Sequence, residues 1–357
     1  MARLSLRDRD GIVTREGLIF RVFGYSHPKN AFICDAEYGS AKIFSSTDPR
    51  APRTGVDELF YKFYNDEGLK LVFREFPQYT IFHEMLGQKV VGVDQAHVAE
   101  ARRPEERLRT LLQAENPDKL VDATKRVLSK ILTPSGLLPE NLGVFGSMLH
   151  GFHHPDFSDI DLIVYGRKEN AAVRATLEGL YSDLGSGFRN EFATDKAMDG
   201  KKWQFKNLTV KEFVRHQRRK MIYGLFKDEK SGRTTKAEFE PVKAWREITS
   251  EYDPKVHIIN KGWVKFKARI VDDADAPFIP SIYQIEHMMV YDGKKEASEA
   301  VRVFSYMEEF RQQAQKDEVV FVEGNLEEVI SPEKSFHQVT LTYCPRYYEQ
   351  VLKVAAL

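Results

Sequence analysis

Residues 145–166 read FGSMLHGFHHPDFSDIDLIVYG, and Asp159 and Asp161 stand two apart at the start of an apolar run. On a strand, residues i and i+2 point to the same side, so both carboxylates lie together while Ile160 faces the other way. Two such anions repel, and a cation between them removes the penalty. Oxygen donors suit Mg²⁺, which takes one or two protein carboxylates together with substrate phosphates. Gly146 and Ser147 lie eleven residues (148–158) before the pair, where a short strand NLGVF turns into a short helix, MLHGF. Such a turn presents backbone N–H groups to an anion, glycine lets the backbone approach it, and the Ser147 hydroxyl adds a donor. The stretch predicts a phosphate cradle beside a metal-binding pair.

The elements around it are legible in outline. A chain of 357 residues accommodates two or three domains. With 30% charged and 42% hydrophobic residues, its composition is that of a globular protein, and no apolar run is long enough to span a bilayer. The opening MARLSLRDRDGIV is charged and has no signal-peptide core. Cys34 and Cys344 are the two cysteines, too few for a disulfide framework or a cysteine zinc site. Together these features predict a reduced, cytoplasmic protein. Zero net charge argues against a nonspecific nucleic-acid coat, while leaving room for local basic patches.

Three regions follow along the chain. Residues 1–103 predict an N-terminal α+β domain. Its strands fall at LIFRVFG (18–24), NAFICD (30–35), KLVFR (70–74) and YTIFH (79–83), and 55–68 forms a short amphipathic helix. Residues 104–255 predict an α/β core. Two proline-led helices begin at Pro104 and Pro117, strands cover the Asn141–Phe145 and Asp159–Gly166 segments, and a helix runs over 170–187. A hairpin follows around KDEKSGRT. Residues 256–357 predict a β-rich domain. There Val264, Phe266, Ala268 and Ile270 alternate with Lys265, Lys267 and Arg269, and 301–315 reads as a strand turning into a helix. A small barrel of OB type is the expected form.

The opening stretch resembles the signature of the DNA polymerase beta superfamily of nucleotidyltransferases: an apolar residue, Gly-Ser, a gap, then Asp-apolar-Asp and an apolar run. Here these are Phe145, Gly146, Ser147, Asp159, Ile160, Asp161 and LIVYG. Gly151 and Ser158 also stand where minimal members commonly have glycine and serine, and His150 stands where they often have a basic residue. Over its length the chain also resembles uncharacterised archaeal nucleotidyltransferases. The resemblance implies a third carboxylate on a later strand, often three residues before a proline. Glu238 in Glu238-Phe239-Glu240-Pro241 fits first and Glu240 second, with Asp195 and Asp199 as alternatives. It further implies transfer of a nucleoside monophosphate from a nucleoside triphosphate such as ATP to an acceptor hydroxyl, by a two-metal mechanism with Mg²⁺ or Mn²⁺. Asp159, Asp161 and Glu238, with Glu240 as an alternative, would bind metal. Gly146, Ser147, His150 and Ser158 would hold phosphates.

Weaker signals surround this one. Arg215, Arg218, Arg219 and Lys220 form a basic stretch that could neutralise a triphosphate or a nucleic-acid backbone, or simply be a solvated helix face. His150, His153 and His154 read more readily as a loop beside the nucleotide than as a zinc site, since no fourth ligand matches them. The expected acceptor is nucleic acid, RNA ahead of DNA. Two rival readings remain: a catalytically silent, nucleic-acid-binding or regulatory module, and a protein-modifying nucleotidyltransferase.

Overall fold

A computed structural model describes residues 4–55 and 58–355. The first hundred residues carry strands β1 (Gly11–Val13), β2 (Leu18–Val22), β3 (Ala31–Ser40), β4 (Pro52–Thr54) and β5 (Leu59–Lys62). Helix α1 (Glu67–Glu75), β6 (Thr80–His83), β7 (Gln88–Asp94) and β8 (Glu100–Arg102) follow. Next come α2 (Pro104–Leu112), α3 (Lys119–Ser135), β9 (Leu142–Val144), α4 (Gly146–His150), β10 (Ile160–Tyr165) and α5 (Arg167–Ser182). After them lie β11 (Phe188–Asn190), α6 (Val210–Lys220), β12 (Tyr223–Lys227) and β13 (Thr234–Val242). The last strands are β14 (His257–Asp275), β15 (Ser281–Asp292), β16 (Ala300–Ser305), β17 (Val319–Ile330), β18 (Ser335–Leu341) and β19 (Val351–Val354). The fold is mixed α/β. No helix among the described residues is long and apolar enough to cross a membrane.

The chain divides into two compact units. One comprises residues up to 83, 87–179 and 226–252; the other comprises 84–86, 180–225 and 253 onward. The first unit thus takes in residues on both sides of position 103, and residues 180–225 belong to the second.

Two sheets build the first unit. The N-terminal sheet runs β4-β5-β3-β2-β1-β8, with β7 also on β3 and β6 on β7. In the core sheet β10 lies between β9, antiparallel, and β13, parallel. The run from Leu162 to Tyr165 is buried throughout, as expected of a strand covered on both faces. α3 starts at Asp118, whose carboxylate caps the N–H groups of Leu120 and Val121, and it ends at left-handed Gly136.

Three local expectations fail here. Residues 70–74 lie in α1 rather than on a strand, and Leu59–Lys62 is a strand rather than a helix; Val56 and Asp57 of that expected helix lie outside the described residues. Short apolar and aromatic runs fit either period, so neighbouring strands decide: Leu59–Lys62 finds partners in both β3 and β4. After β16 a single 3₁₀ turn at Glu308–Phe310 replaces the expected helix.

The charged opening RDRDG is buried. Arg7, Asp8, Arg9 and Asp10 are each at most 4% exposed. Arg7 stacks on Tyr165 and Trp245, 3.6 and 4.8 Å from the ring centroids, and pairs with Glu105 at 3.1 Å. Asp10 accepts the Arg7 backbone N–H at 3.0 Å. Burial nonetheless pushes the Asp10 carboxyl up to about 8, and Glu105 adds to the rise. Its native pKa lies above its unfolded one, so this proton stabilises the fold at low pH, and the contribution is lost as pH rises from about 4 through about 8. Asp10→Asn should flatten that loss, whose slope is up to about 1.4 kcal/mol per pH unit. Urea unfolding of both proteins from pH 5 to pH 9 measures the difference.

In the second unit β14-β15-β16-β18-β17 form a ring closed by the β14–β17 pairing. Only β16–β18 is parallel within it, and β19 adds to β17. Val264, Phe266, Ala268 and Ile270 point into its core with Tyr283, Val322 and Leu341. Lys265 pairs with the buried Glu323, and on the outside Arg269 pairs with Glu286 and Asp317.

Candidate active site

The parallel pairing of β10 and β13 sets Asp161 beside Glu238 and Ile163 beside Glu240. Asp161 and Glu238 therefore stand side by side on one face of the sheet. Asp159 precedes the strand by one residue. The turn into α4 closes on the same place: Phe145 donates its backbone N–H to the Asp161 carbonyl at 2.9 Å. Gly146 has φ +59°, and a Cβ there would lie 2.5 Å from Asp161 Oδ2. No side chain except glycine's lets the turn press this near the carboxylate. Among the described residues the Ser147 hydroxyl makes no hydrogen bond, so it can donate to a ligand.

Electrostatics mark Asp161 as the strained group. Burial, then the charges of Glu238, Asp159 and Glu240, push its carboxyl up to about 8. Desolvation also raises Asp159, against the pull of Lys236 and Arg233. Carboxylates crowded this way favour a bound cation. Among the described residues, however, no three acidic, histidine or cysteine side chains converge as a preformed metal cage. Glu238 is instead ion-paired to Lys236. A Mg²⁺ site needs only one or two protein carboxylates beside substrate phosphates, so Asp159 and Asp161 fit such an ion, with Glu238 adjacent.

Other expected site residues are placed differently. The Glu240 carboxylate takes a 2.9 Å ion pair from Arg9 and is 4% exposed, which commits it to that guanidinium rather than to a metal. His150 is 7% exposed; its Nδ1 lies 3.3 Å from Arg102 and its Nε2 3.8 Å from Glu37. Burial lowers its pKa, so the enclosed, neutral ring does not supply a phosphate charge. Ser158 accepts the His154 backbone N–H at 2.8 Å, and Arg233 holds the Pro155 and Ser158 carbonyls at 2.8 and 2.9 Å, fixing the loop before Asp159. His153 pairs with Asp118 at 2.9 Å.

The basic stretch is structural within the second unit. Arg218 donates to the Phe192 and Ala193 carbonyls, Arg219 pairs with Glu318, and fully buried Lys220 donates to the Glu309 carbonyl at 2.7 Å. Burial removes Lys220 from the phosphate-binding role expected of it, while Arg218 and Arg219 are engaged by these bonds. Two features escaped sequence reasoning. Arg9 sits in the charged opening run, which carries no motif, and Lys236 lies two residues before Glu238, a same-face spacing that could have pointed to their pairing.

Gly146→Ala tests the cradle. A left-handed alanine costs about 1–2 kcal/mol, and the methyl must displace the Asp161 carboxylate. The unfolding midpoint should fall, and any activity that needs Asp161 should fall with it.

Residues 125–224 match the family described as "Nucleotidyltransferase domain". An uncharacterized protein of Methanocaldococcus jannaschii is 28% identical over 333 residues, covering 92% of each chain. No solved structure matches. The matched span holds Gly146, Ser147, Asp159 and Asp161. Residues 125–224 carry a nucleotidyltransferase domain.

Proposed function

We propose that this protein moves a nucleoside monophosphate from a nucleoside triphosphate to an acceptor hydroxyl, with Mg²⁺ or Mn²⁺ at Asp159 and Asp161. The supporting observation is the alignment of Asp161 with Glu238 under a turn whose glycine backbone presses on Asp161. The Gly146–Ser147 turn and the Ser147 hydroxyl receive the triphosphate. Asp159 and Asp161 orient it from the strand. Glu238 faces the acceptor, and its carboxylate takes the hydroxyl proton, with Lys236 holding that carboxylate in place until substrate arrives. The metal, when bound, neutralises charge that builds on the phosphates as pyrophosphate leaves.

The acceptor is nucleic acid, RNA ahead of DNA, and the protein works in the cytoplasm. The ring of the second unit supports this acceptor. Its strand order 1-2-3-5-4-1, with third and fifth strands parallel, is that of an OB-type barrel, a common oligonucleotide binder. Two observations favour a silent regulatory module instead: the Lys236–Glu238 pair and, among the described residues, the lack of a preformed three-carboxylate cage.

Calorimetry with Mn²⁺ and a nonhydrolysable nucleoside triphosphate separates the two readings. The enzyme binds both together, and Asp159→Ala/Asp161→Ala binds neither ion. Equal binding by the variant, or none by the wild type, contradicts the proposal.

A further inference from the structure

One extra residue in β3 changes which way Tyr38 faces. Opposite β2, Tyr38 aligns with Ile19 and Ala36 with Phe20, so Glu37 has no partner and forms a β-bulge. Residues two apart on a regular strand share a face. Here they do not: Ala36 packs with Phe20 in one cluster, while Tyr38 packs with Ile19, Phe60 and Phe152 in another. The bulge thereby turns Tyr38 out of the N-terminal core and toward α4. Its ring meets His150, the last residue of α4, and Phe152 edge-on, each with centroids 5.4 Å apart. Glu37 reaches the same imidazole, 3.8 Å away. This explains why His150 is buried: it is a wall that fixes the tyrosine.

Tyr38 is 2% exposed, yet among the described residues its hydroxyl makes no hydrogen bond. A phenol so enclosed ordinarily has a partner. Burial holds it protonated, and Glu37, Arg53 and Asp161 are the charged groups that act on it. A neutral donor without an acceptor among the described residues thus stands against α4, the helix that begins at the Gly146–Ser147 turn.

We propose that Tyr38 is a substrate-binding residue, its O–H donating a hydrogen bond to a phosphate oxygen of the nucleoside triphosphate seated at Asp161. The N-terminal sheet then supplies part of the site through a side chain that the nucleotidyltransferase match at 125–224 does not include. This rests on the nucleotidyl-transfer reading above.

Tyr38→Phe keeps the ring that packs on His150 and Phe152 and removes only the donor. Its affinity for a nonhydrolysable nucleoside triphosphate with Mg²⁺, measured by calorimetry, should fall about 10–100-fold, the range for a hydrogen bond to a charged oxygen. The unfolding midpoint without nucleotide and the KM for acceptor should stay at wild-type values. Wild-type affinity in Tyr38→Phe overturns the role of Tyr38 while leaving nucleotidyl transfer standing, and a raised acceptor KM with unchanged nucleotide affinity overturns it in favour of an acceptor contact. A wild-type protein that binds no nucleotide overturns both.

Discussion

Replacing Arg9 with methionine should destabilise the protein by about 3–5 kcal/mol, the usual cost of removing one partner from a buried ion pair. Arg9 and Glu240 are both nearly inaccessible, 2.9 Å apart, and the guanidinium also lies over Phe145, 4.9 Å from its ring centroid. Phe145 leads into the Gly146–Ser147 turn and Glu240 follows Glu238 by two residues, so one side chain from the N-terminal segment joins both halves of the site. Without it Glu240 is left in the interior with no counter-charge from Arg9, beside the carboxylates already crowded around Asp161. The paired variant Arg9→Met/Glu240→Met should recover most of the loss, because two apolar groups of similar volume replace a pair whose desolvation was costly. Urea unfolding of the wild type and three variants measures this. A single variant within about 1 kcal/mol of wild type, a change typical of an exposed pair, would show that the ion pair is not held in the interior.

Asp161→Asn should have opposite effects on activity and stability. Transfer should fall by about a thousandfold or more, the scale on which loss of one preorganised electrostatic partner acts. In the protein without metal the same change should be stabilising at high pH. The native Asp161 carboxyl, near 8, lies above the unfolded value of 3.8, so the wild type loses stability as pH rises through that interval. Asparagine carries no such charge and removes the loss. At pH 8.5 the variant should therefore unfold at higher urea than the wild type, and the gap should close toward pH 5. Adding Mg²⁺ should raise the wild-type midpoint and leave the variant unmoved. A variant less stable than wild type at both pH values would contradict the crowding of carboxylates around Asp161.

What sequence reveals here depends on how many residues each signal spans. The apolar run after Asp161, the proline-led start of α2 and the alternation through β14 each extend over several residues and appear where expected, while α3 begins at Lys119, two residues after Pro117. Glu238 ranked ahead of Glu240 by standing three residues before Pro241, although the charged Glu240 departs from the usual pattern, and the strand register sets Glu238 beside Asp161. Features made by a single residue left no such mark. Glu37 inserts one position into β3, and no composition signal separates a bulged strand from a regular one. Leu59–Lys62 and 70–74 are runs short enough to fit either period, and pairing with β3 and β4 decides the first. The arginines of the basic stretch and the RDRDG opening show one limit: charge gives no sign of burial until a partner distant in sequence is known. Glu318 lies 99 residues from Arg219, and Glu240 lies 231 from Arg9. His150 misled in the opposite sense, since its place in the motif suggested a ligand contact while Glu37 and Tyr38 enclose it.

The most direct measurement is incubation with α-³²P-labelled nucleoside triphosphates, Mg²⁺ or Mn²⁺, and RNA, DNA or cell protein, with Asp159→Ala/Asp161→Ala run alongside. Label on RNA in the wild type alone, with pyrophosphate released, is the result the account predicts. Label on protein instead would keep the chemistry and replace the acceptor. No transfer to any acceptor, or equal transfer by the double variant, would contradict the account.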